Sequence, residues 1–197
     1  GMANAETRRI TVRPAIESDI ALLAAVLAPE LSAEQLDRRW QEHGDGNREI
    51  LVAALAGQVV GTVSTTGHRF QRPDSLRLFG LDVRPVFRGQ GIGTALVQAV
   101  EERARRAGLK GVNLEVSMEN TLAKRLYERL GYRTLSKPVT DRWTRLVGGG
   151  EQVEDQGERR KRSLCSLGSP WCGVPTFAPT CWSVSVSSST GWPTYCR

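Results

Sequence analysis

No cysteine occurs in the first 164 residues; all four, Cys165, Cys172, Cys181 and Cys196, fall near the end of the chain. The first 147 residues therefore need no disulfide. The gaps of six, eight and fourteen residues between the four fit no zinc spacing, and neither histidine is near them. No metal is expected. Histidine is equally scarce: His43 and His68 stand in polar, loop-like surroundings and read as surface residues. No apolar run approaches the roughly 20 residues of a membrane-spanning helix, and the first residues lack the apolar stretch of a secretory signal. No membrane partner is expected, and the protein is read as soluble and cytoplasmic. Gly1 ahead of Met2 reads as a cloning remnant and is set aside. Nor is there a block of one charge. The 27 Lys and Arg against 21 Asp and Glu give +6, but bases and acids interleave, which implies a mild attraction for anions and argues against a nucleic-acid partner.

What is present suffices for one substantial core, since a domain of roughly 150 residues buries about 70% of its unfolded surface. Residues 9–13 (RITVR) alternate apolar and polar and end at Pro14, as a first strand would. From Ser18, DIALLAAVLA repeats apolar residues at helical spacing. SAEQ at 32–35 carries a capping-box pattern that opens a second helix through Trp40, and GDGN at 44–47 breaks the chain. Residues 50–55 and 59–64 are apolar, partly β-branched runs around a short turn at 56–58, which predicts an antiparallel hairpin. A polar loop at 69–75 leads to a third long strand at 76–83. Residues 94–107 repeat apolar side chains at Leu96, Val97 and Val100, with charges opposite, and stop at Gly108. VNLEVSM at 112–118 alternates like a strand, 121–130 reads as a short helix closed by Gly131, and 132–135 and 142–147 would finish the sheet. The order β, two helices, three antiparallel strands, helix, strand, helix, two strands describes an α/β domain with a mixed sheet over residues 1–147.

After Val147 the composition changes. GGG is followed by a charged run to Arg162, and no charged residue lies between Ser163 and Cys196. The expected organisation is a charged linker at 148–162 and a Ser/Pro/Cys/Trp-rich tail at 163–197, poorly structured or opportunistically packed. A sharper alternative has the three tail tryptophans covering a neighbouring surface, one on a second copy of the chain included, so a homodimer is allowed.

RGQGIG at 88–93 places three glycines and an arginine between a strand and a helix. Amides at a helix N-terminus carry partial positive charge, and glycines before it let an anion approach without Cβ atoms in the way. The loop suits a phosphate group; a tight strand-to-helix turn without ligand is the plain alternative. A P-loop would need Gly-Lys-Ser/Thr, and Gly93 is followed by Thr94 and Ala95. A dinucleotide fingerprint wants its glycines directly after the strand and a third glycine where Thr94 stands.

Leu81, Val83, Pro85 and RGQGIGTALV resemble the acetyl-CoA-binding signature of the GNAT superfamily of acetyltransferases. NTLAKRLYERLGY, with Asn120, Ala123, Leu126, Tyr127, Gly131 and Tyr132, resembles its second signature. The resemblance covers residues 9–147 and implies a GNAT fold: a mixed, mostly antiparallel central sheet, splayed in a V between the fourth and fifth strands, flanked by about four helices. It implies acetyl-CoA as co-substrate, its pyrophosphate on Arg88, Gly89, Gln90, Gly91, Ile92, Gly93 and Thr94. The pantetheine arm would pair with backbone near Leu81 and Val83, and Asn120, Ala123 and Tyr127 would contact the cofactor.

The same resemblance implies direct acetyl transfer to a primary amine in a ternary complex, without a metal. An alkyl amine near pKa 10 must lose a proton and the departing thiolate must gain one; a backbone amide near Val83 could hold the developing oxyanion. Tyr127 matches the family's proton donor to the sulfur. The base is left between Glu115, a water relay and Asp82, and Gly80 fills a position that is often polar in relatives. The acceptor is a small-molecule or peptide amine. Competing readings are a non-catalytic module that binds or senses coenzyme A, and an interaction protein working through its C-terminal tail. Deleting everything after Val147 should spare an enzyme unless the tail builds the pocket.

Overall fold

A computed structural model describes residues 9–28, 31–67, 75–134, 139–147 and 153–166. His68, the polar loop before Ser75, residues 135–138, and Cys172, Cys181, Cys196 and the three tail tryptophans lie outside the described residues.

Strand β1 (Ile10–Pro14) turns into α1 (Glu17–Leu27) around a buried carboxylate. Asp19 accepts from the Ile16 amide at 2.8 Å and from both terminal nitrogens of Arg13 at 2.7 and 2.9 Å. That guanidinium holds the Asp19 carboxyl below its ordinary range. The stabilisation is therefore present at neutral pH and is lost as pH falls through the folded value. Helix α2 (Ala33–Gly44) opens on the expected capping box: Ser32 Oγ accepts from the Gln35 amide at 3.2 Å, and Gln35 Oε1 from the Ser32 amide at 2.9 Å.

β2 (Arg48–Leu55) and β3 (Gln58–Thr66) form the expected hairpin. Ala56 and Gly57 turn it with φ of 52° and 76°, the left-handed pair that a two-residue hairpin loop requires. Ala56 is the one non-glycine residue with positive φ among the described residues, and alanine has no side chain with which to compensate. Ala56→Asn is expected to raise the unfolding free energy by about 0.5–1 kcal/mol with unchanged m-value in urea titration; an unshifted midpoint would contradict the strain.

The chain continues through β4 (Ser75–Val83), a single 3-10 turn at Pro85–Phe87, α3 (Ile92–Arg106), β5 (Gly111–Ser117), α4 (Thr121–Arg129), β6 (Arg133–Thr134), β7 (Val139–Val147) and β8 (Val153–Cys165). The sheet runs β1-β2-β3-β4-β5-β8-β6, with β7 paired to β8, and only β4 and β5 are parallel. Successive residues of β2 serve opposite faces, as a pleated strand dictates. Leu51 and Ala53 join Leu96, Val97 and Val100 of α3 and Tyr127 of α4, whereas Ile50 and Val52 join Leu23, Leu27 and Leu36 of α1 and α2. The expected α/β architecture is therefore present: a mixed, mostly antiparallel sheet with two helices on each face.

Two expectations change. Helix α3 begins at Ile92, not residue 94, because Gly91 in the left-handed region ends the loop and caps it. The charged run at 148–162, expected to be a linker, enters β8: residues 153–161 pair with β7 and residues 161–165 with β5. A ladder fixed by backbone hydrogen bonds needs no alternating apolar pattern, so strongly charged strands carry little periodic signal. Leu164 and Cys165 at its end are buried. Cys165 is also disulfide-bonded. Removing everything after Val147 would thus strip a strand from β5 and is no neutral truncation.

Candidate active site

The parallel pair opens halfway. β4 and β5 are in register from Ser75 opposite Gly111 to Leu78 opposite Leu114, after which residues 79–83 and 115–117 have no register with each other. The other edge of β5 is closed by β8. The opening therefore lies where the splay was expected, between the fourth and fifth strands, and one edge of β4 beyond Leu78 is left without a partner strand among the described residues.

A bulge in β4 decides which side chains border this opening. The register against β3 slips between Thr62 opposite Asp82 and Ser64 opposite Phe79, and Gly80 sits at φ +60° within the slip. A bulge adds one residue to one strand and so reverses the alternation beyond it. Leu76 and Leu78 pack toward α3 before the bulge, and Leu81 and Val83 do so after it. Asp82 is thereby returned to the face of Arg77 and Phe79. Arg39, reaching from α2, donates to Asp82 Oδ2 at 3.2 Å and stands 3.2 Å from where a Cβ on Gly80 would lie.

The glycine loop ends the same strand. Gly91, at φ 85°, is the N-cap of α3, and the first bond of that helix runs from the Ala95 amide to the Gly91 carbonyl at 3.0 Å. The amides of Ile92, Gly93 and Thr94 come before that bond and have no helical acceptor, which makes an anion-binding nest. Arg88 donates from Nε to the Val83 carbonyl at 3.2 Å, laying its side chain along the link between β4 and α3. Ile92 is buried beneath the loop. Helix α4 leans on the same turn: a Cβ at Gly93 would lie 3.1 Å from Leu126 Cδ2. Leu81, Val83, the loop and α4 are thus brought together, with Gln90 exposed on the loop.

The two tyrosines of α4 and its exit differ in what they hold. Tyr132 donates to Glu101 Oε1 at 3.1 Å, and burial raises the Glu101 carboxyl above its ordinary value. Tyr127, 5.5 Å away ring to ring, is 4% exposed, and its hydroxyl makes no hydrogen bond among the described residues. Burial first, and the charge of Asp82 second, push Tyr127 well above the ordinary phenol value. Tyr127 packs in the core on the α3 side, Asp82 lies on the α2 face of β4, and the Asp82 charge is the second cause of the Tyr127 shift. Asn120 caps α4, its Oδ1 accepting from the Ala123 amide at 3.1 Å. Ala123 is half-buried on the core.

Glu115 lies on β5 just beyond the last residue paired with β4, on the α2 face, with Oε2 3.8 Å from Arg77 Nη2. Both carboxylates considered as bases, Glu115 and Asp82, therefore border the opening from one side, each with an arginine beside it. Sequence reasoning missed Arg39, Arg48, Arg77 and Phe79, which complete that side. A glycine inside an apolar strand was the available signal, since it marks a bulge. His43 stacks on Trp40 with ring centres 4.9 Å apart. Among the described residues no helix is long and apolar enough to cross a membrane, and no group of three or more His, Cys, Asp or Glu is placed to hold a metal ion.

A parallel strand pair thus opens beside a glycine-capped helix. The profile of the Acetyltransferase (GNAT) family matches residues 19–132, more than half of the chain, and the chain belongs to that family. An uncharacterized N-acetyltransferase of Methanocaldococcus jannaschii is 34% identical over 101 residues, covering 50% of this chain and 44% of that protein. The chain thus spans less than half the length of this curated relative. Among solved structures, the ribosomal-protein-S18-alanine N-acetyltransferase of Escherichia coli is similar at TM-score 0.58 and 18% identity, over 80% of this chain and 93% of that one. YncA of Salmonella typhimurium, solved with its cofactor acetyl-CoA, is similar at 0.55 and 19%, over 80% and 92%. These two likenesses are of fold.

Proposed function

We propose that the protein is an acetyl-CoA-dependent N-acetyltransferase that acts by direct attack of a primary amine within a ternary complex. The observation that carries this reading is the opening of β4 from β5 after Leu78 and Leu114, with the Gly91-capped helix at its end and Tyr127 at its edge. The residues present suit the cofactor. The amides of Ile92, Gly93 and Thr94, with Arg88, would hold its diphosphate; the unpartnered edge near Leu81 and Val83 would pair with its pantetheine amides; Asn120 and Ala123 would border it from α4. Acetyl-CoA supplies the acetyl thioester.

The chain's residues then handle two protons. The amine nitrogen forms the new bond to the acetyl carbon as the carbon–sulfur bond breaks, and the oxyanion that develops between is met by a β4 amide near Val83. Glu115 takes the proton that the amine sheds, directly or through water, with Asp82 as the other carboxylate at the opening. Tyr127 gives its hydroxyl proton to the departing sulfur. Orientation in the opening supplies the remainder, because a neutral amine attacks a thioester readily once held.

Calorimetry with coenzyme A, followed by a screen of amine acceptors read by free-thiol release, tests the reading. Saturable uptake of coenzyme A and acceptor-dependent thiol release are expected. No uptake by folded full-length protein would overturn it.

A further inference from the structure

Three arginines, Arg39 of α2, Arg48 of β2 and Arg77 of β4, gather on the face of β4 turned toward α2, two of them over Phe79, a feature that moving an acetyl group does not by itself require. The guanidinium carbon of Arg48 lies 4.4 Å from the centre of the Phe79 ring and that of Arg77 lies 5.6 Å from it. Arg39 stands over Gly80 beside them. Three carboxylates answer the three cations, but unequally. Glu42 accepts from Arg48 Nε at 2.7 Å while Ser64 accepts from its Nη1 at 2.9 Å, so Arg48 is well held. Arg39 donates once, to Asp82. Arg77 makes no hydrogen bond among the described residues: its 3.8 Å approach to Glu115 exceeds hydrogen-bond length, and its side chain is 28% exposed.

A guanidinium offers five donors in a planar fork. Arg77 thus keeps a bidentate face, backed by an aromatic ring, at the border of the opening. The cluster also crowds positive charge. Burial foremost, with the neighbouring Arg39 and Arg77 adding to it against the pull of Glu42, pushes Arg48 down to about 10, still a cation at neutral pH. An added anion would relieve that crowding. Glu115 and Arg77, a carboxylate and a guanidinium 3.8 Å apart beside the opening, match a molecule whose own ammonium and carboxylate are similarly close.

We propose that the acceptor is a small amine that carries its own carboxylate, an amino acid, laid with its nitrogen toward Glu115 and its carboxylate on Arg77 over Phe79. This rests on the acetyl-transfer reading above. It gives the Arg77 side chain a specificity role separate from cofactor binding.

Matched acceptors, free amino acids against their primary amides, test it at saturating acetyl-CoA in the wild type and in Arg77→Gln. The acid is expected to exceed its amide in kcat/KM by about tenfold, the size of a charge-assisted contact. Arg77→Gln should raise KM for the acid about tenfold, bring the acid-to-amide ratio toward one, and leave coenzyme A affinity at the wild-type value. Arg39→Gln, which removes a neighbouring cation, should narrow the same ratio and serves if Arg77→Gln melts early. Equal use of acid and amide, or a loss in Arg77→Gln shared by both, overturns the carboxylate. Coenzyme A binding without acetylation of either series also overturns it and leaves acetyl transfer standing. Failure to bind coenzyme A would instead remove the underlying reading.

Discussion

Tyr127→Phe is expected to lower kcat by about two to three orders of magnitude, within the range of a lost general acid, while the dissociation constant for coenzyme A changes less than twofold. The substitution removes one oxygen from a ring that is 4% exposed and packed in the core, so the fold loses little. It removes no hydrogen bond among the described residues, because none is made. What it removes is a proton held in reserve. Burial and the charge of Asp82 raise this hydroxyl above its ordinary value of 10, so it stays protonated throughout the working range. The sign of the pH dependence follows: no alkaline fall in kcat should come from this group below about pH 10, since the folded value lies above the unfolded one. Full turnover in the Phe variant, or an alkaline limb near pH 8 that the Phe variant loses, would end the assignment.

The capping box at Ser32 to Gln35, the hairpin around Ala56, and the helix opposing charge to Leu96, Val97 and Val100 were all legible in the sequence. Each rests on contacts between residues a few positions apart, which periodicity and turn chemistry report directly. The splay of β4 from β5 was reached only through a family resemblance, because pairing between distant strands leaves no local mark. Two features escaped both routes. Gly80 looked like a missing polar side chain, whereas it turns the strand so that Asp82 shares a face with Arg77 and Phe79; the consequence of a bulge is a change of phase, visible only once the partner register is known. β8 looked like linker because its charged residues are held by backbone ladders to β7 and β5. The arginine cluster was hidden for a third reason: Arg39, Arg48 and Arg77 come from a helix and two strands, and nothing in their spacing brings them together.

Gly91→Val is expected to weaken coenzyme A binding by about tenfold to a hundredfold. Gly91 holds φ 85° as the N-cap of α3, a conformation that a β-branched residue almost never adopts. A Cβ there would meet only Ile10 Cδ1 at 4.0 Å, so space permits valine and conformation forbids it. The loop would relax, and the amides of Ile92, Gly93 and Thr94 would lose the arrangement that lets them converge on one anion. Binding must then restore a backbone that costs about 1–2 kcal/mol for an ordinary residue and more for valine, and each 1.4 kcal/mol is tenfold in affinity. Gly108→Val supplies the control. Gly108 has φ 72° at the far end of the same helix, with nothing within 4 Å of an added Cβ, so it should show a similar loss of thermal stability and wild-type coenzyme A affinity. Equal weakening in both variants would mean that general destabilisation, not the nest, sets the affinity. Undiminished binding in Gly91→Val would mean that the diphosphate is held elsewhere than on the first turn of α3.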